Sequence, residues 1–185
     1  SMAAEDFELT RMEAAKAAAT TFVQKQPATV QIGVVAFSDG GLAVQAPTDD
    51  QGAVLAAINR LAPNRATSIG AGLAAALESI FQPDNQANLQ YSDLTPQAPA
   101  TPTPVPPGTF APAVIVLLSD GENNARPDPL QVAQAAADYG VRIYTIGVGS
   151  AAGTELTVNG FTVFTQLNEE LLQQMAAVTQ GQYYN

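Results

Sequence analysis

The sequence predicts an α/β protein in which a mostly parallel β-sheet is flanked by helices on both faces. Five consecutive large apolar residues, Val114–Leu118, indicate a strand covered on both sides. Segments with helical spacing separate the apolar strands, which favours parallel strands joined by right-handed crossovers. Ser119, Asp120 and Gly121 then end the central strand with a hydroxyl, a carboxylate and a flexible joint. Because open α/β sheets bind ligands at the carboxyl ends of their strands, Asp120 is the first candidate functional residue.

Composition restricts the chemistry. The 185 residues are 46% apolar and 13% charged, as in a globular domain, and the formal charge of −10 disfavours nucleic acid and anionic membranes as partners. The chain has no cysteine and no histidine, which excludes disulfides, thiol nucleophiles, cysteine or histidine zinc sites and Ser-His-Asp triads. Any bound metal must therefore be a hard cation with oxygen ligands. No apolar run approaches the roughly 20 residues of a membrane helix, so we expect no direct membrane insertion by this segment.

Apolar periodicity and capping residues predict the order of the elements. Helices are expected from Glu5 to about Gln24, from a Thr48 or Asp49 cap to about Leu61, from near Ser68 to Phe81, from the Asp128-Pro129 start to about Tyr139, and from an Asn168 cap to about Val178. Strands are expected at Val30–Phe37, Leu42–Ala46, Val114–Leu118, Val141–Val148, Leu156–Phe164 (a hairpin) and Gln182–Tyr184. Gly70 and Gly72 each cost a helix about 1 kcal/mol relative to alanine, which predicts close backbone approach there.

Residues 1–185 are predicted to form one domain with two appended features. The first is a proline-rich surface insertion at residues 83–112, a stretch that is poor in apolar residues. The second is a β-hairpin flap at residues 155–165, with Asn159-Gly160 as its two-residue turn, beside the ligand edge of the sheet. Asp39, Asp49 and Asp50 are interpreted as turn and capping residues.

Several motifs together resemble the von Willebrand factor A domain family. They are Thr67-x-x-Gly70-x-Gly72-Leu73, Leu118-Ser-Asp-Gly-Glu122, Val34-Val-Ala-Phe37-Ser38, Ile146-Gly-Val-Gly149 and Gln180-Gly-Gln-Tyr-Tyr184. The resemblance covers nearly the whole chain and implies a Rossmann-like fold. Ser1–Asp6 and the closing hairpin and helix look most like bacterial A domains displayed from the cell membrane near chaperone-type ATPases. The resemblance therefore implies an extracytoplasmic or membrane-anchored full-length protein.

The resemblance also implies a metal-ion-dependent adhesion site for Mg²⁺, or for Ca²⁺ or Mn²⁺. That site takes an Asp-x-Ser-x-Ser motif from the first strand, a threonine from a second loop and an aspartate from a third. Thr67 matches the threonine, Asp120 the aspartate and Ser1 the last serine of the motif. The aspartate and the first serine of the motif are not in this chain, which leaves open whether the site is intact.

The resemblance places the missing first strand at the centre of the sheet, between Val30–Phe37 and Ala113–Leu118. Without it these two strands would face each other across about 10 Å, twice the usual spacing. We expect the reading frame to encode an apolar strand ending in Asp-x-Ser-x before Ser1. A segment swapped from a second copy is the alternative. Direct pairing of the two flanking strands would contradict this expectation.

The function that the resemblance implies is binding. A divalent cation held by the protein would be completed by an acidic side chain of a protein partner, and no enzymatic activity is expected. Two alternatives stay open: a metal-assisted hydrolase or phosphatase, since a carboxylate and Mg²⁺ can also serve phosphoryl transfer, and a metal-independent structural scaffold. The hydrolase is disfavoured because no phosphate-cradling loop and no lysine lie near Asp120.

Each site residue also has a purely structural interpretation. Asp120 followed by glycine can be a turn former, Thr67 can be a helix N-cap, and Ser1-Met2 can be a tag remnant. Glu122 is interpreted as a solvated loop carboxylate or as a helper of bound water. The Gly147-x-Gly149-x-x-x-Gly153 run does not fit a dinucleotide fingerprint, because a hairpin follows it instead of a helix.

Overall fold

The structure, a computed structural model, describes residues 10–37, 41–62, 67–81, 104–106, 108–150, 152–158 and 161–185. The helices are α1 (Arg11–Gln24), α2 (Gln51–Arg60), α3 (Ile69–Phe81), α4 (Pro129–Asp138) and α5 (Glu169–Val178). The strands are β1 (Ile32–Phe37), β2 (Gly41–Thr48), β3 (Val114–Ser119), β4 (Arg142–Gly147), β5 (Thr154–Val158), β6 (Phe161–Thr165) and β7 (Tyr183–Tyr184). The predicted α/β architecture is confirmed.

Strand β3, predicted to be central, is an edge strand of the described parallel sheet and pairs in parallel with β4, in a register that runs from Val114 opposite Arg142 to Ser119 opposite Gly147. The short strand β7 continues this parallel sheet on the other side of β4. Strands β1 and β2 form an antiparallel pair, and β5 and β6 form the predicted hairpin, whose turn at residues 159–160 lies outside the described residues. The carboxyl ends of β3 and β4 therefore lie at the same edge.

Capping residues fix where the helices begin. The Thr10 hydroxyl accepts a hydrogen bond from the Glu13 N–H while the Glu13 carboxylate accepts one from the Thr10 N–H, a capping box that starts α1 at Arg11. The predicted start at Glu5 was wrong for this reason, and residues 1–9 lie outside the described residues. Asp50 caps α2 by accepting from the Ala53 N–H, which corrects the prediction of Thr48 or Asp49.

Asp128 and Asn168 cap α4 and α5 as predicted. Close approach at the two glycines of α3 is also confirmed. A Cβ atom on Gly70 would collide with the Pro127 carbonyl, and one on Gly72 would lie 2.8 Å from the Phe37 side chain. The absence of side chains at these two positions lets α3 pack tightly against the loop after β3 and against β1.

The apolar core consists of two clusters. The larger one joins α3, α4 and α5 to β3 and β4; its buried members are Ile69, Leu73, Leu77, Ile115, Leu117, Ala133, Ala136, Val141, Ile143, Leu167, Leu172 and Met175. The smaller one joins α1 to α2 through Val23, Val54 and Ile58, with Ile32 and Val34 of β1 packed against it. Each cluster lies beside one of the strands β1 and β3, which belong to separate sheets.

Strands β1 and β3 are not paired with each other, and a cavity of about 980 Å³ is lined by both of them. Its wall is mainly apolar and includes Ala15, Ala19, Val35, Leu73, Val116 and Leu118. The two strands thus line one cavity and do not pair directly, and the predicted spacing of about 10 Å between them stays a prediction. The cavity also corrects the prediction that β3 is covered on both faces: Ile115 and Leu117 are buried, whereas Val114 is 43% exposed and the alternate residues are only half-buried.

The end of the proline-rich stretch is anchored to the domain. The Val105 N–H donates to the Asp138 carbonyl and the Ala111 N–H donates to the Gly140 carbonyl, both at 2.9 Å. Residues 82–103 lie outside the described residues, so the predicted surface insertion stays a prediction. In the part of the chain that the structure describes, no helix has the length and apolar character needed to cross a bilayer.

Candidate metal site at the carboxyl edge of the sheet

Asp120 is the first residue after β3 and its side chain is fully buried. The main chain around it is fixed by two neighbouring segments. The Ser119 carbonyl accepts a hydrogen bond from the Val148 N–H at 3.0 Å, and the Asp120 carbonyl accepts one from the Asn168 N–H at 2.8 Å. The main chain of Asp120 is thus held in place by the loop after β4 and by the start of α5.

Both carboxylate oxygens of Asp120 have partners. Oδ2 lies 3.0 Å from Nη1 of Arg11 in an ion pair whose two side chains are 0% exposed. Oδ1 accepts a hydrogen bond from the Glu122 N–H at 3.2 Å. Residues 109 positions apart therefore form a buried charge pair, which is stable only because each ion neutralises the other away from water.

The start of α1 positions Arg11. In the Thr10–Glu13 capping box, the Thr10 N–H and hydroxyl both donate to Oε2 of Glu13 at 2.9 Å. These hydrogen bonds lower the pKa of the Glu13 carboxyl below its ordinary value. The charged form of Glu13 therefore stabilises the turn from which the Arg11 side chain reaches Asp120.

Thr67 is half-buried and lies just before α3. Its N–H donates to Oδ1 of Asn124 at 3.0 Å, and its carbonyl accepts from the Asn124 N–H at 3.1 Å. The Ser68 hydroxyl, not that of Thr67, caps α3 by accepting from the Ala71 N–H at 3.2 Å. The interpretation of Thr67 as the N-cap is therefore wrong, and the role of its hydroxyl stays a prediction.

The structure places Thr67 and Asp120 at the same edge, because Asn124 belongs to the loop that Asp120 begins. Both Thr67 and Ser119 also line the cavity between β1 and β3, so that cavity extends to this edge. Ser1, the third predicted ligand, lies outside the described residues. A carboxylate and a hydroxyl suit a hard divalent cation. No group of three acidic, histidine or cysteine side chains is found in the described ranges, so hydroxyl ligands would have to complete the set.

Sequence reasoning missed three residues at this edge: Arg11, Asn123 and Asn124. Asn123 accepts from the Ile69 N–H at 2.9 Å and Asn124 holds Thr67, so the two amides join the start of α3 to the loop after β3. The consecutive asparagines following Asp120-Gly-Glu122 could have indicated such a role, since asparagine commonly bonds nearby main chain. Arg11 carries no comparable signal, because arginine at the start of an alanine-rich helix normally faces solvent.

The chain is an α/β domain with two candidate oxygen ligands, Asp120 and Thr67, at the carboxyl edge of a largely parallel sheet. The sequence matches the von Willebrand factor type A domain family over residues 1–122, and the chain belongs to that family. A UPF0353 protein of Mycolicibacterium paratuberculosis is 29% identical over 191 residues, which cover 100% of this chain and 52% of the relative. The chain thus spans about half the length of the curated relatives that it matches.

Two solved structures show the same fold. An aerotolerance-related membrane protein from Bacteroides fragilis superposes with a TM-score of 0.77 at 22% identity, covering 100% of this chain and 85% of that chain. Proximal thread matrix protein 1 from the mussel byssus, with a zinc-occupied MIDAS motif, gives a TM-score of 0.60 at 19% identity, covering 95% of this chain and 39% of that chain. These likenesses concern the fold.

Proposed function

We propose that the chain is a protein-binding module that depends on a divalent cation held at the carboxyl edge of the sheet. The observation that carries the proposal is the pair of hydrogen bonds by which Asn124 ties Thr67 to the loop of Asp120. This contact brings a threonine and an aspartate from separate loops to one edge. Membership of the von Willebrand factor type A domain family supports the same assignment.

Asp120, Thr67 and Ser1 would be the protein ligands. Mg²⁺, Ca²⁺ or Mn²⁺ bound there would supply an open coordination position for an acidic side chain of the partner. Asp120 provides the negative charge. Thr67 provides a neutral oxygen from a main chain that Asn124 fixes, and Ser1 would add a second hydroxyl. The open position and the surrounding loops would select the partner.

Two of the similar solved structures support a proposal about the cellular location and the ligand of this module. The Bacteroides fragilis relative is described as an aerotolerance-related membrane protein, and the mussel protein holds zinc at its MIDAS motif. We therefore infer that this domain works in a membrane-anchored protein, outside the cytoplasm, and binds an acidic protein partner. A chaperone-type ATPase system is the partner class that we propose, and nucleic acid is not among the partners.

One observation favours a second candidate function, that of a metal-independent scaffold. Arg11 already neutralises Asp120 in a buried ion pair, so the loop is held without a metal ion. In a scaffold, this pair would serve only to stabilise the domain. Partner binding that persists in a chelator would favour this alternative.

Calorimetric titration with MgCl₂ and MnCl₂ tests the proposal. The titrations use the chain Ser1–Asn185 and the same chain extended before Ser1 by an apolar segment that ends in Asp-x-Ser-x. We expect binding that Asp120→Ala abolishes and that Thr67→Ala weakens at least about tenfold. Asp49→Ala is the matched control, because it removes an exposed carboxylate elsewhere. Equal binding by the parent and Asp120→Ala, or no binding by any form, would refute the metal site.

A further inference from the structure

Arg11 lies in a position that the helix itself does not favour. It is the first residue of α1, where the partial positive charge of the helix N-terminus repels a cation. It is nevertheless fully buried, and its Nη1 lies 3.0 Å from Oδ2 of Asp120. The contact with Asp120 therefore stabilises this guanidinium in a position that helix stability alone would disfavour.

The loop after β4 is shaped around the Arg11 side chain. Gly149 has φ +136°, and a Cβ atom there would lie 2.9 Å from Nε and 3.0 Å from Cζ of Arg11. A residue with a side chain would be strained at this φ and would also press on the guanidinium. The main chain thus approaches Arg11 closely, and the guanidinium lies between Gly149 and Asp120.

A divalent cation on Asp120 would have to share this closed space with Arg11. Oδ2 already contacts the guanidinium and Oδ1 accepts from the Glu122 N–H, so neither oxygen of Asp120 is without a partner. Two like charges a few ångströms apart repel strongly where little water screens them. Binding of the cation and retention of the ion pair are therefore opposed.

We propose that Arg11 is the built-in counter-ion of Asp120 and that a divalent cation binds Asp120 only when the Arg11 guanidinium leaves it. This inference rests on the proposed function. Arg11 then sets the affinity of the metal site: the ion pair weakens metal binding, and metal binding weakens the ion pair by the same factor. Because Arg11 begins α1, metal binding is coupled to the attachment of that helix to the sheet edge.

Calorimetry with MnCl₂ on the full chain and on Arg11→Gln tests the affinity. We expect Arg11→Gln to bind Mn²⁺ at least about tenfold more tightly than the parent, and Arg11→Lys, which keeps the charge, to lie between them. Arg60→Gln is the matched control: it removes the same charge from an exposed site at the end of α2 and should bind like the parent. Circular dichroism verifies that each variant is folded.

A second readout uses the unmodified chain, so it does not depend on the folding of a variant. Phenylglyoxal labelling mapped by mass spectrometry should show Arg11 protected in EDTA and reactive in saturating MnCl₂, while labelling of Arg60 is unchanged. Equal Mn²⁺ affinity of the parent and Arg11→Gln, or continued protection of Arg11 in saturating Mn²⁺, would overturn this inference and leave the metal site standing. Absence of Mn²⁺ binding in every form would overturn both.

Discussion

Thr67 and Asn124 are joined by two hydrogen bonds. The Thr67 N–H donates to Asn124 Oδ1 at 3.0 Å, and the Asn124 N–H donates to the Thr67 carbonyl at 3.1 Å. The pair joins the start of α3 to the loop that follows β3. Asn124 is exposed, so no packing requirement selects an amide there. Its side chain instead fixes the residue that we propose as a metal ligand.

Asn124→Ala should therefore weaken metal binding without unfolding the domain. Removing the amide leaves the Thr67 N–H without this acceptor, so the position of Thr67, the proposed ligand, is no longer fixed. Loss of a residue that orients a ligand commonly lowers metal affinity by about 10- to 100-fold, and loss of one hydrogen bond costs about 1 kcal/mol of stability. Calorimetry with MnCl₂ and urea unfolding measure the two effects. Asn59→Ala, at an exposed site of α2, is the control, and equal losses of affinity in both variants would refute the role of Asn124.

The Arg11–Asp120 pair should be strongly coupled in metal-free protein. Arg11→Met or Asp120→Asn alone removes one member of the buried ion pair and should lower the free energy of unfolding by about 3–5 kcal/mol. The double variant should lose much less than the sum of the single losses, because it leaves neither charge behind. Urea unfolding in EDTA measures the free energy of unfolding of the parent, of both single variants and of the double variant. Additive losses would mean that the two residues do not stabilise each other.

Gly70→Ala should destabilise the domain. A methyl group there meets the Pro127 carbonyl, so α3 or the loop after β3 has to move, at a cost of about 1–3 kcal/mol. Gly52→Ala is the contrasting change, because Gly52 is exposed in α2 and its nearest atom would be an Asp50 oxygen at 3.1 Å. That variant should lose less stability than Gly70→Ala, because the helix propensity gained from alanine, up to about 1 kcal/mol, offsets the close contact with the Asp50 side chain that caps α2. Thermal unfolding compares the two, and equal stability of Gly70→Ala and the parent would contradict the close approach.

Tyr183 should make stability fall at high pH. Burial, with a smaller contribution from the Glu169 carboxylate, raises the pKa of the Tyr183 phenol to about 12. Because this pKa is higher in the folded state than the value of about 10 in the unfolded state, the protonated phenol contributes to the stability of the fold. The contribution is fully present below about pH 10 and is lost as the pH rises through about 12. Between pH 10 and 12, the midpoint of urea unfolding should therefore fall more steeply for the parent than for Tyr183→Phe. Parallel curves for the two proteins would refute this contribution.

The cavity between β1 and β3 should accept an added strand. A segment of about seven residues, rich in valine and isoleucine and ending in Asp-x-Ser-x, joined before Ser1, should pair with both strand edges and raise the midpoint of urea unfolding. A Gly/Ser segment of the same length is the control. The apolar walls of the cavity, among them Val35, Val116 and Leu118, are the reason for expecting stabilisation. Identical midpoints for the two extensions would contradict an open strand position.

Local signals in the sequence predicted most of the fold. Asp128-Pro129 and Asn168 begin the helices that they were expected to begin, and the apolar run of β3 predicted a parallel strand, although β3 pairs on one side only among the described strands. Each of these features depends on residues that are close in sequence, so the local sequence pattern predicts it. The capping box of Thr10 and Glu13 is an equally local signal, and it places the start of α1 at Arg11 instead of the predicted Glu5.

The candidate site depended on contacts between distant segments. Asp120 and Thr67 could be proposed from a family resemblance, but the burial of Arg11 results from packing among α1, the loop after β4 and the end of β3. No local pattern distinguishes a buried arginine from a solvated one at a helix start. The choice of Ser68 instead of Thr67 as the cap of α3 likewise depends on side-chain orientation, which the sequence does not specify.

The proposed function requires a cation held between Thr67 and Asp120. The most direct test is an X-ray structure of the protein crystallised with MnCl₂, with anomalous data collected above the manganese absorption edge. We expect one strong anomalous peak within ligand distance of the Thr67 hydroxyl and the Asp120 carboxylate, with the Arg11 guanidinium displaced from Asp120. No anomalous peak at that edge in crystals grown in saturating MnCl₂, with the Arg11–Asp120 ion pair intact, would contradict the proposed metal site.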